Sequence, residues 1–175
     1  TRYKVDLVIT SPPYISAQKY VRSTRLEAYW LGYDKEHQLR VNRSTIGTER
    51  VLRNFYSSFQ ETGFKDLDSF IKKIYAKNAR RAGIVAKYFI EMKKVIEKIH
   101  SILVHTGTLV MIIGHNTIMG QEMKTNEVLC DICEEIGFKV ADIMVDGIVS
   151  RGLMTKRNTT ASIINYEWVI VMKKE

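Results

Sequence analysis

Short runs of β-branched and aliphatic residues alternate with longer amphipathic stretches along the chain. The short runs are bounded by glycine, proline or small polar residues, which is typical of buried strands. Four such runs predict four strands, at residues 5–9, 108–113, 138–145 and 168–172.

The longer stretches repeat their apolar residues at the spacing of an α-helix. A first helical stretch opens near Asp66, with Asp66 or Asp68 as candidate N-cap, and Gly83 is expected to divide it into two helices. Its apolar stripe continues to residue 103, and Thr106-Gly107 is expected to end it. A later helix is predicted over residues 124–136, stopped by Gly137.

Strands and amphipathic helices therefore alternate, which predicts an α/β fold. The expected sheet is mostly parallel, with helices on both faces. Ligands of such folds bind at the carboxyl ends of the strands. Residues 11–14 follow the first strand, and Gly114-His115-Asn116 follows the second, so His115 and Asn116 are candidates to line a pocket.

Charge favours a polyanionic partner. The chain of 175 residues carries a formal net charge of +8 and a pI near 9.4, which suits nucleic acid. Residues 15–64 form an irregular, basic stretch with six arginines, which is expected to be an elaborated loop region with short helices around residues 22–31.

The two cysteines and the hydropathy bear on metal binding, on membrane spans and on the redox state of the compartment. Cys130 and Cys133 have C-x2-C spacing, but no second pair completes a zinc set, and Cys133 at least is expected to be a core thiol. No metal site is predicted. The longest apolar runs are too short to span a bilayer, and unpaired thiols fit a reducing cytoplasm.

The chemistry is carried by Ser11-Pro12-Pro13-Tyr14, which holds both prolines of the chain. Proline fixes φ and removes a backbone donor, so the loop is stiff and presents acceptors. Ser11 Oγ and the Pro12 carbonyl could bind the two N–H groups of an exocyclic base amine and stabilise the positive charge that grows during methyl transfer. Tyr14 could stack on a base flipped out of the duplex. The alternative interpretation of this tetrapeptide is a rigid turn with a structural role only.

Residues 5–14, Val-Asp-Leu-Val-Ile-Thr-Ser-Pro-Pro-Tyr, resemble motif IV of the N4-cytosine/N6-adenine DNA methyltransferases. Residues 107–114 are similar to the fifth strand of that fold, and residues 166–172 to its seventh, antiparallel strand. The resemblance implies a Rossmann-like methyltransferase fold with S-adenosylmethionine as cofactor and double-stranded DNA as partner, in a restriction-modification or related system. The serine form of the motif is more typical of cytosine N4 enzymes.

The resemblance also implies roles for individual residues. Ser11, Pro12, Pro13 and Tyr14 would be catalytic, and Thr10, Ser11 and Pro12 would contact the cofactor. Residues near the motif and a basic loop near the family's motif VIII would contact DNA: Tyr20, Arg22, Arg25, Lys156 and Arg157. For Arg22 and Arg25 the alternative is a solvated helix face or a salt bridge with Glu27.

One expected segment is absent from the sequence. The family binds its cofactor largely through a Phe-x-Gly-x-Gly loop after its first strand, and no such loop occurs in the 175 residues. The first three strands of the fold are therefore expected to be missing. Residues 1–175 would be the catalytic, target-amine half of a methyltransferase domain, and a partner segment or subunit, or a permuted continuation, would carry the cofactor loop.

Other functions remain open at this stage. The same chemistry would serve adenine N6, an RNA base or a protein glutamine. A different class is a non-catalytic partner subunit that binds nucleic acid.

Overall fold

The computed structural model describes residues 3–16, 20–148 and 164–175. The elements follow in the order β1 (Val5–Thr10), α1 (Tyr20–Ser23), α2 (Arg25–Trp30), α3 (Lys35–Ser44), α4 (Arg53–Tyr56), α5 (Lys65–Tyr75), α6 (Ala79–Ile102), β2 (Leu103–Gly114), β3 (Asn116–Ile118), β4 (Gln121–Met123), α7 (Thr125–Ile136), β5 (Phe138–Gly147) and β6 (Tyr166–Lys174).

The chain divides into two compact units. The sheet unit comprises Thr1–Pro12 and Met92–Glu175, and the helical unit comprises Pro13–Glu91. One boundary falls inside the Ser-Pro-Pro-Tyr motif, and the other falls within α6. The chain is thus a mixed α/β protein whose sequence motif joins the two units covalently.

The sheet unit contains a four-stranded sheet in the order β1-β2-β6-β5. β1 pairs with β2 in parallel, whereas β6 is antiparallel to both β2 and β5. Three strands therefore run in one direction and the last strand of the chain runs against them, as the sequence predicts. The carboxyl ends of β1, β2 and β5 consequently share one edge with the start of β6.

One face of this sheet is a closed core. Leu109 pairs with Met172 and Met111 with Ile170, and all four side chains are fully buried. The helix α7 packs against β2 and β5, and its Leu129, Ile132 and Cys133 are fully buried. Burying such aliphatic side chains stabilises the unit by roughly 1.5–3 kcal/mol each.

The opposite face is open. Side chains that lie on it are half-buried or exposed in the described residues, namely Leu7, Ile9, Val110, Ile112, Val169 and Val171. Leu7 and Ile9 on the edge strand β1 are 51% and 64% exposed. Of the predicted helices on both faces, the described part of this unit shows helix packing on one face, while Leu7 and Ile9 on the other face are more than half exposed.

The helical unit is built from α1 to α5 and the first half of α6. Its core contains Leu67, Ile71 and Ile74 of α5 and Ile84, Val85, Tyr88 and Phe89 of α6. Short helices occupy about half of the predicted irregular stretch, including α1 and α2 where helices were expected. Within the described residues, no helix is long and apolar enough to cross a membrane.

Two helix breaks differ from the sequence prediction. The break between α5 and α6 lies at residues 76–78, where Asn78 Oδ1 accepts from the Arg81 N–H at 3.0 Å and starts the new helix. Gly83 lies inside α6, and a Cβ there would come within 2.7 Å of Tyr56 Cβ. Gly83 therefore permits a close approach instead of breaking the helix.

The ends of these helices also differ in detail. Neither Asp66 nor Asp68 is the N-cap of α5, which is Phe64; Asp68 instead accepts from the Thr62 and Gly63 N–H groups of the preceding turn. Thr106-Gly107 does not end α6, because it lies inside β2. The end of α7 is as predicted, since Gly137 is the C-cap in the left-handed region at φ +106°.

Candidate active site

The first half of the motif lies at the carboxyl end of β1. Thr10 is the last residue of the strand and pairs with Met111 of β2. Ser11 follows and is exposed, and Pro12 is buried. The Ser11 hydroxyl has no hydrogen-bond partner among the described residues, and neither proline offers an N–H. This strand end therefore presents acceptor groups with no competing backbone donor from the prolines.

His115 follows the end of β2, on the same edge of the sheet, and contacts three other elements. His115 stacks on Trp168 of β6 with ring centroids 3.7 Å apart and planes at 12°. Its Nε2 is 2.5 Å from Asn126 Oδ1 of α7, and its Nδ1 is 3.1 Å from Glu122 Oε1 of β4. Asn126 is buried. These contacts fix the hairpin of β3 and β4 and the start of α7 against the strand ends.

The second half of the motif belongs to the helical unit, where a glycine turn supports it. Gly47, at φ +77°, would bring a Cβ within 3.0 Å of the Tyr14 carbonyl oxygen and 3.6 Å of Pro13 Cβ. The Ser16 N–H donates to the Gly47 carbonyl at 3.0 Å, and Ile15 is fully buried. The backbone after the prolines is therefore packed against a residue whose positive φ and close approach both favour glycine.

The helical unit also contains a buried tyrosine hydroxyl. Tyr88 of α6 is 1% exposed, and its hydroxyl has no hydrogen-bond partner in the part of the chain that the structure describes. Burial, and next the neighbouring Tyr14, raise the pKa of Tyr88. The phenol therefore stays protonated, and its hydroxyl is a donor that no described residue uses.

The residues predicted to contact DNA occupy the first helices after the motif. Tyr20 begins α1 and is 47% exposed; Arg22 and Arg25 are exposed on α1 and α2. The Arg25 guanidinium lies 5.8 Å from the centre of the Tyr29 ring, so the alternative of a salt bridge with Glu27 is not what the described residues form. Lys156 and Arg157 lie outside the described residues.

The cysteines are free thiols on α7. Cys133 is fully buried, as predicted, and Cys130 is half-buried. Burial, with the nearby Glu134, Asp131 and Glu127 carboxylates, raises the pKa of Cys130 to about 11. Among the described residues no group of three or more His, Cys, Asp or Glu side chains could hold a metal ion.

Sequence reasoning missed Gly47 and Tyr88, and it did not place the partners of His115. Gly47 lies far from Tyr14 along the chain, and no local pattern links the two. Tyr88 lies within the apolar stripe that the sequence predicts up to residue 103, although a buried tyrosine carries a polar tip that needs a partner. That tip is the signal that could have identified it.

The fold and this strand-end loop define a class of protein: an α/β domain that presents a stiff, acceptor-rich loop at the carboxyl edge of its sheet. The family profile N6_N4_Mtase, described as DNA methylase, matches residues 5–175. The chain belongs to this DNA methylase family.

Among curated proteins, the chain is similar to the type II methyltransferase M.AvaI of Nostoc sp. (strain PCC 7120 / SAG 25.82 / UTEX 2576) and of Anabaena variabilis. Each is 29% identical over 155 residues, which cover 80% of this chain and 32% of the relative. The chain thus spans about a third of the length of these relatives.

Among solved structures, the chain is similar to TTHA0409 of Thermus thermophilus, described as a DNA modification methylase. One structure matches with a TM-score of 0.46 at 15% identity and covers 98% of this chain and 46% of TTHA0409. A structure of TTHA0409 complexed with S-adenosyl-L-methionine matches with a TM-score of 0.36 at 15% identity, over 48% and 35% of the two chains.

Proposed function

We propose that this chain is the target-binding part of an enzyme that transfers a methyl group from S-adenosyl-L-methionine to an exocyclic amine of a DNA base, cytosine N4 in preference to adenine N6. The observation that carries the proposal is the exposed, unpartnered Ser11 hydroxyl at the carboxyl end of β1, followed by two prolines. Membership of the DNA methylase family supports the reaction class, and similarity to M.AvaI supports a role in restriction-modification.

The motif residues would position the amine and stabilise its charge. Ser11 Oγ and the Pro12 carbonyl accept the two N–H groups of the amine, which orients its nitrogen and favours the positive charge that develops on it. Tyr14 stacks on the flipped base. Gly47 lies close behind the Tyr14 carbonyl, so Tyr14 needs little reorganisation when the base arrives.

The 175 residues include groups that fit the methyl-donor end of the cofactor, but not the rest of it. Thr10, Ser11 and Pro12 lie at the strand end and would contact the methyl-donor end of S-adenosyl-L-methionine, whose sulfonium supplies an activated methyl group. The glycine-rich loop that would cradle the rest is absent from the 175 residues. We therefore assign it to another segment, in the same polypeptide or in a partner.

Two features of the sheet unit support such a segment. In the described residues β1 pairs with β2 on one side only, which leaves a strand edge of the kind that native proteins cover or pair. Leu7 and Ile9 beside that edge are more than half exposed. A segment that adds a strand to β1 and packs on this face would bury both side chains.

The test is methylation of duplex DNA by the complete enzyme with tritiated S-adenosyl-L-methionine, followed by analysis of the methylated nucleoside. We expect N4-methylcytosine, and a loss of about a hundredfold in kcat for Ser11→Ala. Ser69→Ala, at an exposed serine of α5, is the matched control and should keep full activity. Unchanged methylation in both Ser11→Ala and Pro12→Ala would instead favour a non-catalytic subunit.

A further inference from the structure

Residues 30–34 form a rigid turn between α2 and α3, which we call the corner. At the end of α2, the Tyr33 N–H donates to the Ala28 carbonyl at 2.9 Å, and the Gly32 N–H donates to the Tyr29 carbonyl at 3.0 Å. Gly32 has φ +84°. This pair of hydrogen bonds, with a left-handed glycine, is a Schellman motif, which stops a helix in one defined geometry.

The start of α3 fixes the other side of the corner. Asp34 is its N-cap, and its Oδ1 accepts from the His37 N–H at 2.7 Å. The buried Gln38 donates from Nε2 to the Tyr33 carbonyl at 3.0 Å, and the Tyr33 ring stacks on His37 with centroids 4.6 Å apart. The backbone of the corner is therefore tied to helices on both sides.

Two large apolar side chains project from this fixed backbone. Trp30 is 86% exposed and Leu31 is 74% exposed in the described residues. The corner is held without their help, since the hydrogen bonds that shape it come from other residues. Adjacent, exposed large apolar residues on an ordered backbone mark an interaction site more often than a scattered single one does.

The surroundings of the corner favour a polyanion. Residues 20–44 carry five Arg and Lys against three Asp and Glu, and the Asp34 carboxylate is engaged as a cap. Arg22 and Arg25 are exposed and form no ion pair within the described residues. Tyr20 and Tyr29 expose 47% and 41% of their surface. Basic side chains interleaved with exposed aromatic rings are typical of nucleic-acid surfaces.

We propose that Trp30, with Leu31 beside it, is the wedge that enters the DNA base stack and fills the space left when the target base is flipped out. The inference rests on the proposed function and deepens it. Flipping costs unpairing and unstacking, and a flat indole inserted between the neighbouring bases restores part of the lost stacking. A stiff corner suits this role, because a side chain on a flexible loop would lose more entropy on insertion.

The experiment compares two duplexes in the complete enzyme. One is a fully matched duplex, and the other carries a mismatch opposite the target base, so that less work is needed to flip it. For Trp30→Ala we expect kcat/KM to fall about tenfold to a hundredfold on the matched duplex and to stay within a few-fold of the unaltered enzyme on the mismatched one. Trp30→Phe, which keeps a flat ring, should restore much of the loss, and Leu52→Ala, at a residue 56% exposed elsewhere in the unit, should behave like the unaltered enzyme.

Four results would overturn the proposal. An equal loss on both duplexes would mean that Trp30 does not act in flipping, and so would full activity on both. A lower melting temperature of Trp30→Ala with parallel losses would mean that another protein segment covers the corner. Lack of methyl transfer by the unaltered enzyme on both duplexes would overturn the proposed function itself, and the wedge with it.

Discussion

Replacing Gly47 by alanine tests whether the glycine turn positions the motif loop. Gly47 has φ +77°, where an L-residue costs about 1–2 kcal/mol. Its new Cβ would also lie 3.0 Å from the Tyr14 carbonyl oxygen, so the carbonyl would have to move by a few tenths of an ångström. The substitution therefore combines backbone strain with a displacement of the residue that we assign to base stacking.

Gly63→Ala separates these two effects. Gly63 lies in the same unit at φ +91°, and nothing lies within 4 Å of the Cβ that it would gain. Urea unfolding should show that both variants are destabilised by about 1–2 kcal/mol. The free energy of unfolding should be lower for Gly47→Ala than for Gly63→Ala. Methyl-transfer assays in the complete enzyme should show about tenfold lower kcat/KM for Gly47→Ala only, because small misplacements of a positioning group cost rate.

The two variants together show whether the contact between Gly47 and Tyr14 matters for activity. If Gly47→Ala and Gly63→Ala retain the same activity while both lose stability, then the contact with the Tyr14 carbonyl has no part in positioning the loop. If both lose activity equally, the loss follows from stability and not from the site.

Four further outcomes follow from the packing. Tyr88→Phe should raise the free energy of unfolding by about 1 kcal/mol, because it removes a buried, unpartnered hydroxyl; a lower value would reveal a hydrogen bond in solution. His115→Ala should lower it by about 2 kcal/mol, since it leaves a buried amide oxygen unpaired, and an unchanged urea midpoint would contradict this. Gly83→Ala should destabilise by about 1–3 kcal/mol despite its better helix propensity, because its Cβ meets Tyr56 at 2.7 Å; calorimetry decides. At pH 8 iodoacetamide should react more slowly with the Cys130 thiol than with the thiol of glutathione, because burial raises the pKa of Cys130 to about 11 and leaves little thiolate. Equal alkylation rates for the two thiols would count against that burial.

The parts of the fold that the sequence predicted are those with a local cause. The β-branched run before Ser11 forms β1, and the motif follows at its carboxyl end. The apolar period of α7 and the stop at Gly137 are both realised. In each case neighbouring residues alone determine the conformation, through side-chain period or through a left-handed glycine.

The parts that it could not predict depend on contacts between distant residues. Thr106-Gly107 resembles a helix end, but it marks an irregularity in β2, where the register with β1 shifts after Val5 and Thr106 has φ +65°. Gly83 resembles a helix breaker, yet its role depends on Tyr56. The hairpin of β3 and β4 carries too few residues for a strand pattern, and the partners of His115 come from three separate elements.

Methyl transfer to DNA is the direct test of the role that we propose for Ser11. The complete enzyme is incubated with duplex DNA and labelled S-adenosyl-L-methionine, and the DNA is digested to nucleosides. We predict label in N4-methylcytosine with unaltered protein and loss of that label with Ser11→Ala at equal protein stability. Label absent from the DNA, or equal label with Ser11→Ala, would contradict the account.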